Sequence, residues 1–367
     1  MHLSKLSLLN FKNCLEVSFN FSDRVNCFLG NNGQGKTNIL DAIHYLSYTK
    51  SYFNSIDSQN ISFNHPFFVI QGEFILENEL QNLYCGMKRG EKKIFRKNKK
   101  TYSRLADHIG FLPVVMITPY DSNLVLDGSD VRRKFIDALI SQFNREYLEN
   151  LIFYNKILIQ RNTLLKKWAE NGVFQKDLLD IIDVQLIDKA KFIHSIRAQF
   201  LKSFIPEFNE YYKKIAQVDE HVELVYESSL NNEMMEDLLK TNLNKDRKLK
   251  YTSDGIHRDD LLFKINDHPL KKYGSQGQQK SFLIALKLAK FNFIREKKGF
   301  TPILLLDDIF DKLDHNRVNY IVDLIEKEKL GQTFITDTDI KKVPGILKAM
   351  KVDFKAFEIQ QGSSKEL

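Results

Sequence analysis

Hydrophobic spacing divides the chain into three stretches of different character. Over the first thirty residues Leu3, Leu6, Leu8 and Phe11, then Val17, Phe19 and Phe21, recur in the manner of half-buried strands. Residues 25–29 form a short apolar run that ends in a glycine loop, as a strand buried on both faces would. From residue 38 to 46 the period becomes helical, with Ile39, Ala42, Ile43 and Leu46 on one face. Strand character returns at residues 67–70, 74–76, 83–87 and 114–117, and residues 94–102 read as a hairpin turning at Asn98-Lys99. After Pro119 the pattern is helical again. Ile136, Leu139, Ile140, Phe143, Tyr147, Leu151, Tyr154 and Leu158 recur at three- and four-residue steps, and a second stripe runs through Leu178, Ile181, Ile182, Leu186 and Ile193. Together they predict a helical hairpin or small bundle, with a further helix over 233–243. The last third alternates: a strand at 261–265, a helix at 278–295, a buried strand at 303–306, a helix at 317–327 and a strand at 333–336. The expected fold class is therefore α/β, with a head of residues 1–120 and 251–367 and an inserted, mostly α-helical domain of residues 121–250.

Composition narrows the setting. With 367 residues and 43% hydrophobic content a sizeable core is available. The three cysteines, Cys14, Cys27 and Cys85, form no CxxC pair and lie near no histidine at ligand spacing, which suits buried thiols in a reducing compartment. The N-terminus has no apolar secretory core, and no run is long enough to cross a membrane, so a cytoplasmic protein is expected. The net charge of +7 favours a polyanionic partner through counterion release, although a merely basic surface would give the same sum.

The chemistry begins in the glycine loop. Gly30-Asn31-Asn32-Gly33-Gln34-Gly35-Lys36-Thr37 matches GxxxxGK[ST] in full, after a buried strand and before a helix. Such a loop presents backbone N–H groups and a helix N-terminus to phosphates. Lys36 would add a point charge on the β/γ-phosphates and Thr37 would ligate Mg²⁺, so ATP and Mg²⁺ are the expected cofactors. A second element, Ile303-Leu304-Leu305-Leu306-Asp307-Asp308, is an apolar strand ending in two carboxylates, the form of a Walker B motif. Open α/β sheets bind ligands at the carboxyl ends of their strands. Asp307 would hold the metal, and Asp308, with Lys36, would carry catalysis by orienting and deprotonating the attacking water.

A third element, Ser275-Gln276-Gly277-Gln278-Gln279, precedes the helix leading to that strand. Ser275 suits an N-cap and Gly277 allows close backbone approach. Its position is that of the signature motif of ABC-type ATPases, which closes over the nucleotide of a partner subunit. The Ser-Gln-Gly-Gln-Gln form resembles the RecF family of recombination-mediator ATPases. So do Leu9-Asn10-Phe11-Lys12-Asn13, Gly128-Ser129-Asp130-Val131-Arg132-Arg133-Lys134-Phe135-Ile136-Asp137, Gln160-Arg161-Asn162-Thr163-Leu164-Leu165-Lys166 and His257-Arg258-Asp259-Asp260-Leu261. These stretches span most of the chain.

The resemblance implies an ABC/SMC-type (Rad50-like) head without a long coiled coil. A helix of about 40 residues reaches only about 60 Å. It further implies an ATP-dependent homodimer around two nucleotides and binding to duplex and single-strand/duplex junction DNA. The function implied is recombinational repair and replication-fork recovery, with RecO and RecR in the loading of RecA. Ser275, Gln276 and Gly277 would act across the dimer, as would Asp314 in the D-loop Asp311-Lys312-Leu313-Asp314. Asp308 replaces the Glu usual in ABC proteins, the switch region 332–339 holds no His, and residues 113–128 show no Q-loop Gln. Slow, DNA-stimulated hydrolysis is expected, with ATP acting chiefly as a switch. The alternatives are an ATP-gated clamp with negligible turnover and an ABC-like ATPase of phage-defence type.

DNA-facing charge is expected at residues 88–104. Lys88, Arg89, Lys92, Lys93, Arg96, Lys97, Lys99, Lys100 and Arg104 are opposed by Glu91 alone, and Phe95 and Tyr102 are interleaved. A solvated hairpin whose lysines protect an edge strand is an equal reading. Arg132-Arg133-Lys134 is a second candidate, able instead to brace domains or sense nucleotide, and His257–Asp260 is read as a head–arm contact.

Overall fold

The computed structural model describes residues 1–172, 176–218, 220–310, 315–327 and 330–367. In chain order the first part holds strands β1 (His2–Phe11), β2 (Cys14–Asn20) and β3 (Val25–Leu29), helix α1 (Lys36–Tyr48), and strands β4 (Phe67–Leu76), β5 (Glu79–Lys88), β6 (Ile94–Lys97), β7 (Lys100–Thr101) and β8 (Val114–Ile117). Helices α2 (Asn123–Leu126), α3 (Ser129–Ser141), α4 (Arg145–Asn171) and α5 (Lys176–Ala216) follow, then β9 (Val222–Glu227) and α6 (Met235–Leu249). The last part contains β10 (Asp260–Ile265), β11 (His268–Pro269), α7 (Leu270–Tyr273), α8 (Gln276–Lys298), β12 (Ile303–Leu306), α9 (His315–Lys327), β13 (Thr333–Asp337), α10 (Lys342–Ala349), β14 (Phe354–Gln360) and β15 (Ser363–Glu366). Two compact units result: Met1–Asp121 with Lys290–Leu367, and Ser122–Ala289.

The first unit is built from two sheets. One is antiparallel, in the order β2-β1-β4-β5-β6-β7; the other runs β15-β14-β3-β13-β12-β8, parallel except for the final hairpin strand β15. Phenylalanines from both sheets meet between them. Phe19 and Phe21 of the β2 region contact Phe28 of β3, Phe357 of β14 and, from Phe21, Phe334 of β13, mostly edge to face. Such pairs add specific geometry to a large apolar burial. β3 is therefore buried along its whole length. Its one polar side chain, Asn26, accepts from the Ser22 amide at 2.9 Å and donates to the Ser22 carbonyl at 2.8 Å. Gln332, just ahead of β13, is similarly buried: it accepts from Leu3 N and donates to the Leu3 and Ser22 carbonyls, all at 2.7 Å. It thus stitches the two sheets at the start of the segment 332–339.

The second unit is mostly helical, but β9 pairs with β10 along six positions to form a small sheet with β11. Sequence reading anticipates the helices of residues 121–250 and misses β9. In α5 the buried face runs through Leu179, Leu186, Ala190 and Ile193, while Leu178 and Ile181, expected on that face, are exposed. The observed set keeps steps of seven, four and three residues; the expected one begins a third of a turn away.

Buried polar networks lock this unit. The Arg197 guanidinium, enclosed on all sides, donates to Asp259 Oδ2 and Asp137 Oδ1 at 2.8 Å and to the Ile256 carbonyl at 2.9 Å. Arg161 reaches Asp246 at 2.6 Å, Asp183 at 2.7 Å and Thr252 at 2.9 Å. Arg132 grips Asp260 through two nitrogens, at 2.7 and 2.8 Å, and Arg133 donates to the Asp259 carbonyl at 2.6 Å. His257 lies between Tyr154 Oη, at 2.7 Å, and the Thr252 carbonyl, at 3.0 Å. The arginine pair and the His257–Asp260 cluster, singled out as candidates for DNA, nucleotide or head–arm contact, thus join one internal network of this unit. Among the described residues no helix is long and apolar enough to cross a membrane.

Candidate nucleotide site

The phosphate-type loop follows from local backbone demands. β3 ends at Leu29, and Gly30, Gly33 and Gly35 all take positive φ (139°, 80° and 112°), which side-chain-bearing residues rarely adopt. α1 then starts at Lys36, so its first amides face the loop. Asn31, Asn32 and Gly33 are exposed; Gln34 and Thr37 are half-buried. Lys36 is buried within the loop and donates to the carbonyls of Gly30, at 2.7 Å, and Asn31, at 3.1 Å.

The parallel sheet brings the acidic strand to this loop. β13 lies between β3 and β12, and the Thr37 hydroxyl donates to Asp307 Oδ1 at 2.8 Å. Thr336 at the end of β13 donates to the same oxygen at 2.9 Å and accepts the Asp308 amide at 2.9 Å. Asp308 takes φ 46°, which turns its side chain out of the strand direction. Burial raises the Asp307 carboxyl to about 6, with the Asp308 charge adding to the rise and the two threonine hydroxyls opposing it. Two hard oxygen donors, a hydroxyl and a buried carboxylate, side by side at the foot of a phosphate loop are the donor chemistry that suits Mg²⁺. Thr336, four residues into the histidine-free switch region, is the residue sequence reasoning passed over. Its signal was there, a threonine at the carboxyl end of the strand between the two motif strands.

Ser275, Gln276 and Gly277 belong to the other unit. Ser275 caps α8: its Oγ accepts from the Gln278 amide at 3.2 Å while Gln278 Oε1 accepts from the Ser275 amide at 2.7 Å. Ser275 and Gln276 are exposed at the helix start. Asp311 and Asp314 lie outside the described residues.

The basic hairpin forms where expected, with Asn98 and Lys99 at positive φ in its turn. Its side chains divide. Lys88, Arg89, Lys92, Lys99, Lys100 and Arg104 are exposed. Lys93 is buried against Asp57 at 2.7 Å, and Lys97 lies over the Phe111 ring at 3.5 Å. Phe95 is core, and Tyr102 bonds His108 at 3.1 Å, so the expected aromatic interleaving does not line the charged surface. All three cysteines are buried and free, and burial pushes Cys14 and Cys27 up to about 12.

Comparison with known proteins agrees with this geometry. The family model for the RecF/RecN/SMC N terminal domain matches residues 2–361. The chain is 50% identical over 359 residues to the DNA replication and repair protein RecF of Flavobacterium johnsoniae, covering 98% of this chain and 100% of that one. It is 46% identical over 368 residues to the protein of the same description from Phocaeicola vulgatus, covering 100% and 98%. A solved structure described as the recombination mediator protein RecF-ATP in the RecFOR pathway superposes with a TM-score of 0.90 at 30% identity, over 100% of this chain and 97% of that one. An Smc head from Pyrococcus furiosus, at 17% identity, TM-score 0.56 and coverage of 100% and 96%, shares the fold. A phosphate-type loop joined to an acidic strand through Thr37 and Asp307, in a chain matched from end to end by such relatives, belongs to the RecF family of the RecF/RecN/SMC group.

Proposed function

We propose that this chain is an ATP- and Mg²⁺-binding recombination mediator of DNA repair and replication-fork recovery. It would dimerise with a second copy of itself on gapped or junction DNA in the cytoplasm and cooperate with RecO and RecR in loading RecA. The observation that carries the reading is the Thr37–Asp307 contact, which joins the two halves of a metal–nucleotide site. In it Gly30 to Thr37 would cradle the phosphates, Lys36 would neutralise their charge, Thr37 and Asp307 would hold Mg²⁺, and the cation would draw charge from the transferring phosphoryl group. Ser275 and Gln276, exposed at a capped helix start, and the half-buried Gly277 beside them suit a contact to the partner's nucleotide. Asp314 would face the opposite subunit.

Turnover is proposed to be slow. Asp308 is one methylene shorter than Glu, and the switch region that holds Thr336, the acceptor of the Asp308 amide, contains no His. A base displaced by about 1 Å costs on the order of a hundredfold in rate. ATP then serves mainly as an assembly switch. The test is the mass in solution with and without ATP, on gapped and intact duplex DNA. Wild type should dimerise with ATP, Lys36→Ala should not, and Asp308→Asn should persist as dimer on DNA. A wild type that stays monomeric with ATP in every condition overturns the reading; an Asp308→Asn protein with wild-type turnover removes Asp308 from catalysis.

A further inference from the structure

The phosphate loop is held from outside by two segments remote in sequence, the turn between β1 and β2 and the last hairpin of the chain. All contacts fall on or around Gln34. Its carbonyl accepts two N–H groups, from Asn13 Nδ2 at 3.0 Å and from the Gly362 amide at 2.9 Å. Its side-chain Oε1 accepts the Gln361 amide at 2.7 Å. Asn13 also accepts, through Oδ1, from Asn38 Nδ2 at 2.7 Å, so one side chain spans the loop and the first turn of α1.

The fit leaves no room. A Cβ on Gly362 would lie 2.2 Å from the Asn13 carbonyl oxygen, one on Gly35 2.6 Å from the Asn13 amide, and one on Gly30 2.6 Å from the Ile359 carbonyl oxygen of β14. Gly30 and Gly362 therefore meet these two segments at backbone distance, and Gly35 meets the Asn13 side chain. Gln361 and Gly362 sit at φ 48° and 79°, the tight two-residue turn that joins β14 to β15.

We infer that Asn13 and the Gln361-Gly362 turn are positioning residues for the phosphate loop, setting its affinity for a nucleoside polyphosphate from outside the motif. The physical link is the peptide plane. The Gln34 carbonyl and the Gly35 N–H belong to one planar unit and point in opposite directions. Two donors that fix the carbonyl therefore fix the direction of the Gly35 N–H, one of the amides such a loop turns toward a phosphate. They also polarise that amide and strengthen it as a donor. Gly35, free to take many φ values, gains most from an external hold. Lys36, inside the loop, cannot supply this hold, because its two contacts are to Gly30 and Asn31.

The inference rests on the reading of Gly30 to Thr37 as a nucleotide site, and the experiment separates the two. Full-length protein is titrated with a fluorescent ADP analogue, without DNA, as wild type, Lys36→Ala, Asn13→Ala, Asn13→Asp, Gly362→Ala and Gly299→Ala. Gly299 is the control: its φ of 74° matches the 79° of Gly362, but nothing lies within 4 Å of its would-be Cβ. Both alanines carry the same left-handed strain, and only one touches the loop. Asn13→Asp keeps the acceptor for Asn38 and loses the donor to Gln34. Expected are a wild-type Kd for Gly299→Ala and a Kd raised about three- to tenfold for Asn13→Ala, Asn13→Asp and Gly362→Ala, the worth of a lost hydrogen bond. The unliganded unfolding midpoint of Gly362→Ala should lie below that of Gly299→Ala, because only its Cβ meets backbone, at 2.2 Å, and affinities are compared where both proteins are folded. Wild-type affinity in Asn13→Ala and Asn13→Asp, with binding abolished by Lys36→Ala, overturns the inference and leaves the nucleotide site standing. No binding by wild type overturns both. If Gly362→Ala does not fold, the two Asn13 variants decide alone.

Discussion

Replacing Arg197 by Met should destabilise the second unit mainly through the buried acids it leaves behind, not through lost apolar contact. Arg197 is 2% exposed and its partner Asp259 is 3% exposed, so their mutual attraction acts where water screens little. Met fills much of the same volume, so the cavity contribution is small. What remains is Asp259, a buried carboxylate without its cation, and Asp137, which loses two contacts to the guanidinium. Removing one partner of a buried pair costs about 3–5 kcal/mol. The sign of the pH dependence follows from Asp259. Burial already raises its carboxyl above the ordinary value even beside Arg197, and without the arginine the rise must be larger. A group raised in the folded state contributes fully below its unfolded value, near 4, and that contribution is lost as pH rises through the folded value. The deficit of Arg197→Met should therefore be greatest at pH 8 and shrink toward pH 5. Trp168 is the only tryptophan and lies in this unit, so its fluorescence reports the relevant unfolding in urea. Adding Asp259→Asn should return about 1–2 kcal/mol by removing the uncompensated charge. A deficit under about 1 kcal/mol at pH 7, or one that does not shrink at lower pH, would refute the account, since surface-type substitutions alone reach about 0.5 kcal/mol.

Further outcomes follow from the same geometry. Lys99→Glu with Lys100→Glu should weaken duplex binding and flatten its dependence on salt with little change in stability, whereas Lys93→Met should cost about 1–3 kcal/mol of stability through its lost contacts to Asp57, Tyr45 and the Thr49 carbonyl and leave the salt slope alone; binding curves at several salt concentrations and urea titrations tell the two apart. His108, buried between Tyr102 Oη and the Leu46 carbonyl, is lowered to about 4 chiefly by desolvation. Its folded value lies below its unfolded one, so the stability it supports is complete above about 6.5 and is lost as pH falls toward about 4, at no more than about 1.4 kcal/mol per pH unit. A His108→Gln protein should show a shallower decline across that window in thermal melts; an unchanged decline would exclude His108 as the cause.

Much of this architecture was legible because the site strands are buried on both faces. β8 and β12 are continuous apolar runs, β13 is buried at every position, and their bounds fall within a residue of where the pattern puts them. The last hairpin was not legible, since β14 alternates phenylalanine with charge and β15 is four polar residues at an edge. β9 was hidden for a related reason: its partner, β10, lies more than thirty residues away, and pairing at that range leaves no periodic trace. Charge was the least legible property. Lys93, Arg132, Arg133, Arg161 and Arg197 look like their exposed neighbours in the sequence, yet each is drawn inward by a specific acid or carbonyl. A basic count cannot distinguish a cation that meets phosphate from one that meets aspartate.

The same distinction bears on how the site could be regulated. The Gly30–Thr37 motif specifies which groups can meet a phosphate, but not how firmly they are aimed. Aim is set by Asn13 and Gln361-Gly362 on one side of the loop and by Thr336 on the other, where one hydroxyl donates to Asp307 and accepts from Asp308. None of these residues lies in the motif, and each belongs to a different strand or turn of the same two sheets. Loop and acids are therefore fixed relative to one another before any ligand arrives, which lowers the reorganisation that nucleotide binding requires.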